Sequence, residues 1–228
     1  MNLVITGANR GIGLELTRQY LARGDTVHAG AREPAEAREL TTLADASGGR
    51  LRVYALDVTS DESVRAFAAA LTEPVDLLIN NAGRRTRRDD LEDVSLEDAL
   101  QMLQVNALGA LRVTRAVLPR LRGTPGAKIA SLSSGLGSIT DNTSGGGYGY
   151  RMSKAALNMA TRSLAADLRD EGLIVVTISP GWVQTDMGGA SAPTQVSESA
   201  AGLLAVLDRV TTQDSGGFFD FRGARIDW

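Results

Sequence analysis

The chain is expected to fold as a single α/β domain, a doubly wound parallel sheet with helices on both faces. Three observations lead there. Short apolar runs alternate with helical patterns along all 228 residues. The runs at residues 3–5, 75–79, 128–132 and 173–178 lack the polar alternation of a half-exposed strand, so they suit strands covered on both sides. No repeat or long linker divides the chain, and its length is ordinary for one core.

The first strand (residues 3–5) runs into Thr6-Gly7-Ala8-Asn9-Arg10-Gly11-Ile12-Gly13, then a helical pattern through Leu14, Leu16, Tyr20 and Leu21 that stops at Gly24. A strand, a glycine-rich turn and a helix in this order make a phosphate cradle. Glycines let the backbone approach a pyrophosphate, and the helix N-terminus offers N–H groups and partial positive charge. A tight turn with no ligand is the competing reading, which the βα repetition that follows disfavours.

The second strand (residues 26–31) ends where a dinucleotide fold reads the ribose next to the adenine. An acidic residue there would accept bonds from a free 2′-hydroxyl. This chain has Arg32, with Arg10 in the glycine turn, and two guanidiniums suit a 2′-phosphate. Glu33 tempers the preference, which is for NADP(H), with NAD(H) possible. A helix over residues 35–46 and a strand over residues 51–56 follow. Asp57-Val58 at that strand's end either contacts the adenine or caps the helix that contains Val64 and Phe67.

The fourth strand (residues 75–79) runs into Asn80-Asn81-Ala82-Gly83, whose amides can tie strands together and present backbone to a cofactor. Arg84, Arg85, Arg87 and Arg88 then face Asp89, Asp90, Glu92 and Asp93. This reads as a solvated, self-compensating loop, with an anionic-substrate funnel as the alternative. The next helix begins near Ser95 and carries Asn106 in its middle, where Asn is a poor helix former. The fifth strand (residues 128–132) ends in Ser133-Ser134-Gly135-Leu136-Gly137, and a sixth (residues 173–178) leads to Pro180-Gly181-Trp182-Val183-Gln184-Thr185-Asp186-Met187. A helix over residues 197–210 and a strand over residues 218–221 close the pattern.

Tyr150 and Lys154 stand four apart in a helical segment rich in Ala, Leu and Met, on one face and one turn apart. A cation beside a phenol favours the phenolate. Bringing a phenol near neutrality takes roughly 4 kcal/mol and would make Tyr150 a general acid/base. Chance spacing with a solvated Lys154 is the bland reading. Against it, every cluster named above lies at the carboxyl end of a strand, where such sheets bind ligands.

Composition removes other chemistries. The chain has no cysteine, so disulfides, thiolate catalysis and Cys-based metal sites are out, and its one histidine, His28, reads as a strand residue. No metal is expected. A net charge of −3 with both signs dispersed points to neither nucleic acid nor an anionic membrane. No run approaches the roughly 20 apolar residues of a membrane span. The first strand also leaves no room for a presequence, so a cytoplasmic protein is expected.

Taken in order, these motifs resemble the short-chain dehydrogenase/reductase family, with its Rossmann-type fold, over essentially the whole chain. The matching residues are Thr6-Gly7 through Gly13, Asn80-Asn81-Ala82-Gly83, Asn106, Ser134 with Gly137, Tyr150 with Lys154, and Pro180-Gly181. Residues 141–158, 182–189 and the tail 225–228 are further similar to the C-factor-like carbonyl reductase subgroup. The resemblance implies that Ser134 holds the substrate oxygen and Tyr150 exchanges the proton. Lys154 would bind the nicotinamide ribose and lower the Tyr150 pKa, and Asn106 would hold a relay water. Ser133 is the competing serine. It also implies a cofactor part at about residues 1–130 and a catalytic part at about 131–228.

The expected cofactor contacts are Gly7, Asn9, Arg10, Gly11, Ile12, Gly13, Arg32, Asp57, Val58, Asn80, Ala82, Gly83, Tyr150, Lys154, Pro180, Gly181, Val183 and Thr185. Tyr148, Trp182 and Met187, with Ser134 and Tyr150, would line the substrate site, although Trp182 also reads as ordinary packing. The expected activity is reduction of a small ketone or aldehyde, or the reverse. A signalling or sensing protein that binds NADP(H) with little turnover is the alternative. Sugar-nucleotide epimerase chemistry, found in extended relatives, would need a substrate domain for which 228 residues leave no room. A homo-oligomer, dimer or tetramer, is expected through the helices of Asn106 and Tyr150. Two departures from the family pattern stand out: Tyr150 comes 16 residues after Ser134, longer than usual, with the excess at residues 145–147, and the chain is short after Thr185.

Overall fold

The computed structural model describes residues 1–86 and 89–228; Arg87 and Arg88 of the arginine run lie outside the described residues. Seven parallel strands form one sheet in the order β3-β2-β1-β4-β5-β6-β7. They are β1 (Asn2–Thr6), β2 (Thr26–Ala31), β3 (Leu51–Ala55), β4 (Leu77–Asn80), β5 (Lys128–Leu132), β6 (Ile174–Ser179) and β7 (Phe218–Asp220). The helices are α1 (Gly11–Ala22), α2 (Arg38–Ala46), α3 (Asp61–Ala70), α4 (Leu96–Leu103), α5 (Ala110–Leu121), α6 (Tyr148–Asp167) and α7 (Val196–Arg209).

Alternation along β1 builds both halves of the core. Leu3 and Ile5 join Leu16, Tyr20, Leu40 and Leu203 on the α1/α2/α7 side. Val4 points the other way, to Phe67, Val113, Val117 and Leu121 of α3 and α5. Both strand faces are dry, as the unbroken apolar runs imply. Chain order reverses between β1 and β4, so the carboxyl ends of these strands flank the switch point where ligands bind in open α/β sheets.

Two helical expectations need correction. The stretch at residues 35–46 is a 3-10 turn (Pro34–Glu36) and a separate α2, because Ala37 leaves helical geometry at φ −83°, ψ 62°. The helix expected around Asn106 is interrupted by a π-helical segment, Gln104–Gly109, between α4 and α5. Close packing holds it there: a Cβ on Gly109 would stand 2.7 Å from Val58 Cγ2. His28 lies in β2 as expected, buried and bonded to Tyr54 Oη (3.1 Å) and Asn2 Oδ1 (2.8 Å).

Candidate active site

The glycine turn is set by β1 and by Asn81. Asn81 Nδ2 donates to the carbonyls of Thr6 (2.8 Å) and Gly7 (2.9 Å), while Thr6 Oγ1 accepts from the N–H groups of Asn81 and Ala82 (both 3.0 Å). Gly13 cannot be replaced without moving this turn, since a Cβ there would lie 2.4 Å from the Gly7 carbonyl. Asn9 and Arg10 are exposed on the turn, and Ile12 packs back against the core. No side chain caps α1 and no acidic residue sits in its first turn. Its amides are therefore left for an anion, which fits the expected pyrophosphate.

Asn80 is buried and gives Nδ2 to Thr114 Oγ1 at 2.9 Å, which leaves its backbone as the group a cofactor could meet. Asn81, absent from the expected contacts, does the tying. Arg10 Nη1 donates to Asp186 Oδ2 at 2.7 Å across the mouth of the turn, in an ion pair exposed on both sides.

At the adenine side Arg32 is exposed just beyond β2. The cap of α3 is Ser60, whose side chain accepts from Ser63 N–H, so Asp57 is not the capping residue. Asp57 instead accepts from the backbone and hydroxyl of Thr59 (2.8 and 2.7 Å). Burial opposes its ionisation, but Thr59, Arg32 and Arg112 outweigh burial and hold the carboxyl below its ordinary value. Val58 is buried against the π segment, and its carbonyl accepts from Arg112 at 2.7 Å.

The proton-transfer groups meet beyond β5. Ser133 is buried and donates to Asn158 Oδ1 at 2.6 Å, which makes it a structural residue. Ser134 is half-buried and bears on the Tyr150 phenol, as the spacing to Gly137 implied. That spacing has a steric cause: a Cβ on Gly137 would stand 2.8 Å from Lys154 Cβ, so only glycine lets this turn sit on α6. The longer approach to Tyr150 is accounted for by Gly145, Gly146 and Gly147, all left-handed at φ 61–65°, which swing the chain into α6.

Tyr150 is 8 % exposed. Burial pushes its phenol above the ordinary value, while the Arg85 guanidinium and the Ser134 hydroxyl pull it down. The net shift is upward, and Arg85 is the main opposing charge. Lys154 Nζ stands 5.7 Å from the ring centroid and donates to the Leu132 carbonyl at 2.8 Å. Burial pushes this ammonium down to about 8. Gly83 lies beside it, with a built Cβ 3.9 Å from Nζ.

The Asn106 side chain is taken up by protein partners. Its Nδ2 donates to the Arg84 carbonyl (2.8 Å) and to Ser153 Oγ (2.9 Å), and its Oδ1 accepts from Arg84 N–H (2.7 Å). These bonds clamp the segment after Gly83. The other end of that segment is anchored by Asp89, a residue the sequence reading left in a solvated loop. Asp89 is buried, and its carboxylate accepts from the N–H groups of Gly149 (2.7 Å) and Tyr150 (2.8 Å). Between these anchors Arg85 lies over the Tyr150 ring at 5.2 Å from the centroid.

The remaining expected contacts lie on the segment after β6. Gly181 is left-handed (φ 83°) against Phe221, Val183 is buried, and Thr185 Cγ2 would be 3.3 Å from a Cβ on Gly11. The Pro180 carbonyl accepts from Ser199 Oγ at 2.7 Å. Trp182 is 53 % exposed and donates Nε1 to the Gly188 carbonyl at 2.7 Å, so it clasps its own loop and does not pack in the core. Met187 and Tyr148 are exposed as well. The structure brings Ser134, Tyr150, Lys154 and Gly83 together, and Thr185 onto the glycine turn; no hydrogen bond or ring contact joins Trp182, Met187 or Tyr148 to Tyr150 among the described residues.

Acid/base groups and an anion cradle meeting at one edge of a doubly wound sheet place the chain among the oxidoreductases. A family profile described as short chain dehydrogenase matches residues 1–196, and the chain belongs to that family. It is 49% identical over 166 residues to the C-signal protein of Myxococcus xanthus, covering 72% of this chain and 100% of that one. It is 35% identical over 234 residues to the 1-hydroxy-2-glutathionyl-2-methyl-3-butene dehydrogenase of Rhodococcus sp. (strain AD45), covering 99% of each. Among solved structures it superposes on NADPH-bound carbonyl reductase from chicken fatty liver with a TM-score of 0.94 and 36% identity, covering 100% of this chain and 98% of that one. The carbonyl reductase Sniffer of D. melanogaster gives a TM-score of 0.94 and 32% identity, covering 100% and 99%.

Proposed function

We propose that the chain is an NADP(H)-dependent reductase of a small ketone or aldehyde, working reversibly on the corresponding alcohol. The observation that carries this is the convergence of Ser134, Tyr150 and Lys154 beside the glycine turn at the switch point of the sheet. The NADPH-bound chicken relative supports the choice of cofactor.

The N-terminal amides of α1 and Gly7, Gly11 and Gly13 would hold the pyrophosphate, and exposed Arg32 the 2′-phosphate. Lys154 would hold the ribose by the nicotinamide, and Gly83, Gly181 and Thr185 would frame it. When bound, the nicotinamide supplies or accepts the hydride. Ser134 and Tyr150 hold the substrate oxygen, and Tyr150 gives it a proton in reduction. The Arg85 guanidinium and the Ser134 hydroxyl, which pull the Tyr150 phenol down against the effect of burial, stabilise the phenolate left when the proton is given.

Leu96, Leu100, Leu108 and Leu111 on the α4–α5 stretch, with Met152 and Met159 on α6, are exposed apolar side chains. They support a homo-oligomer built through these helices. No helix among the described residues is long and apolar enough to cross a membrane.

A second reading, a signalling protein that binds NADP(H) with little turnover, is favoured by the identity to the C-signal protein. Oxidation of NADPH and NADH, followed by absorbance against aldehydes, ketones, diketones and quinones, separates the two. Turnover that prefers NADPH and disappears in Tyr150→Phe is the expected result. Tight cofactor binding with no turnover on any compound would favour the signalling reading.

A further inference from the structure

The arginine run after Gly83 is not one solvated patch. Arg84 is consumed on the outside, where its guanidinium bonds Asp98 and Gln101. Arg85 is exposed and lies over the Tyr150 ring, its guanidinium 5.2 Å from the centroid, with no ion pair to a carboxylate among the described residues. Its place is fixed from both sides. Asn106 takes both backbone polar groups of Arg84, and five residues further Asp89 is bonded to the first amides of α6. A guanidinium held at the face of the proton-transferring phenol keeps donors available toward the substrate side.

We propose that Arg85 is a substrate-recognition residue, and that the preferred carbonyl substrates carry a carboxylate or another anionic group near the reacting carbon. The inference rests on the reductase reading of the same site. Lys154 cannot serve this purpose, because it is buried and bonded to the Leu132 carbonyl. Arg10 is paired to Asp186 on the cofactor side. The planar fork of Arg85 matches a carboxylate in two bonds and can keep its stacking on Tyr150 while doing so.

The test compares 4-formylbenzoate with its neutral methyl ester, two aldehydes of nearly the same shape, in the full chain with NADPH. The readout is the ratio of kcat/KM for acid over ester, which cancels any change in Tyr150 chemistry common to both. The wild type should favour the acid by about tenfold or more, and Arg85→Ala should bring the ratio close to one. Arg85→Glu should push it below one. An acid-to-ester ratio that is the same in wild type and Arg85→Ala would overturn the proposal. Ester turnover lost in Tyr150→Phe reports on the reductase reading separately. Should neither aldehyde turn over, calorimetric binding of 4-formylbenzoate to the NADP+-saturated protein decides. Tighter binding to wild type than to Arg85→Ala supports the site, and equal binding removes it.

Discussion

Asp89 gives the sharpest test of how the catalytic tyrosine is held. Helix α6 begins after Gly147, which is left-handed and offers no side chain to the first amides. Asp89 does so from 60 and 61 residues away, with bonds of 2.7 and 2.8 Å to Gly149 and Tyr150, in a buried setting. Losing an N-cap typically costs about 1 kcal/mol, and hydrogen bonds to a charged group are worth about 1.5–3 kcal/mol each. The two bonds share one carboxylate whose burial is itself costly, so Asp89→Ala should destabilise the fold by about 3 kcal/mol. Asp89→Asn can keep one acceptor and should lose about half as much. The same change frees the first turn of α6, and a displacement of about 1 Å at a reacting group can cost about 100-fold. We therefore expect kcat to fall by about 10- to 100-fold, with NADPH affinity within a few fold because the glycine turn is untouched. Urea unfolding, kinetics and cofactor titration on the three proteins measure all of this. A loss under about 0.5 kcal/mol with kcat preserved would refute the positioning role.

Other expectations follow from the same site. Lys154→Met should abolish turnover yet stabilise the protein at pH 7. The buried ammonium, pushed down to about 8 from an ordinary value of about 10.4, costs about 3 kcal/mol, and its bond to Leu132 returns only about 1 kcal/mol. In the wild type that cost is fully present below about pH 8 and fades as pH rises toward about 10.4, where the unfolded lysine also loses its proton. The advantage of Lys154→Met in urea should shrink across that window, and an advantage independent of pH would contradict the assignment. Ser133→Ala should cost about 1–3 kcal/mol by orphaning Asn158 while turnover survives, whereas Ser134→Ala should lower kcat by about 100-fold with little loss of stability. Arg32→Glu should move the NADPH-to-NADH preference in kcat/KM toward NADH by about 100-fold; an unchanged ratio would show that Arg32 does not read the 2′-phosphate.

What could be read in the sequence was whatever depends on local spacing. Unbroken apolar runs located every strand within a residue or two. The preference for Ser134 over Ser133 came from the family pattern, and the structure puts Ser134 beside Tyr150 and Ser133 against Asn158. What escaped depends on contacts distant along the chain. Asp89 looked like one more acid in a charged loop; the only hint of its role was that three glycines, and no capping residue, precede α6. Asn80 and Asn81 are adjacent and chemically identical, and strand geometry alone sends one to Thr114 and the other to the glycine turn. The effect of burial on Tyr150 was also hidden, since a spacing of four announces the neighbouring cation but not the loss of water around the phenol.

The π-helical segment Gln104–Gly109 makes the length of its helix a determinant of the site. A π turn carries about one residue more than an α turn, and each residue advances an α-helix by about 100°. Deleting one residue there would let the stretch relax into regular α-helix with both flanks kept in phase, because the widened turn is what absorbs the extra residue. Val113 and Val117 would stay in the core, whereas Asn106 would lose the bulged position from which it bonds Arg84 and Ser153. A single-codon deletion would therefore remove the clamp and leave the rest of the element in place. An added residue, by contrast, would turn one flank by about 100° and carry either the core valines or Asn106 out of position.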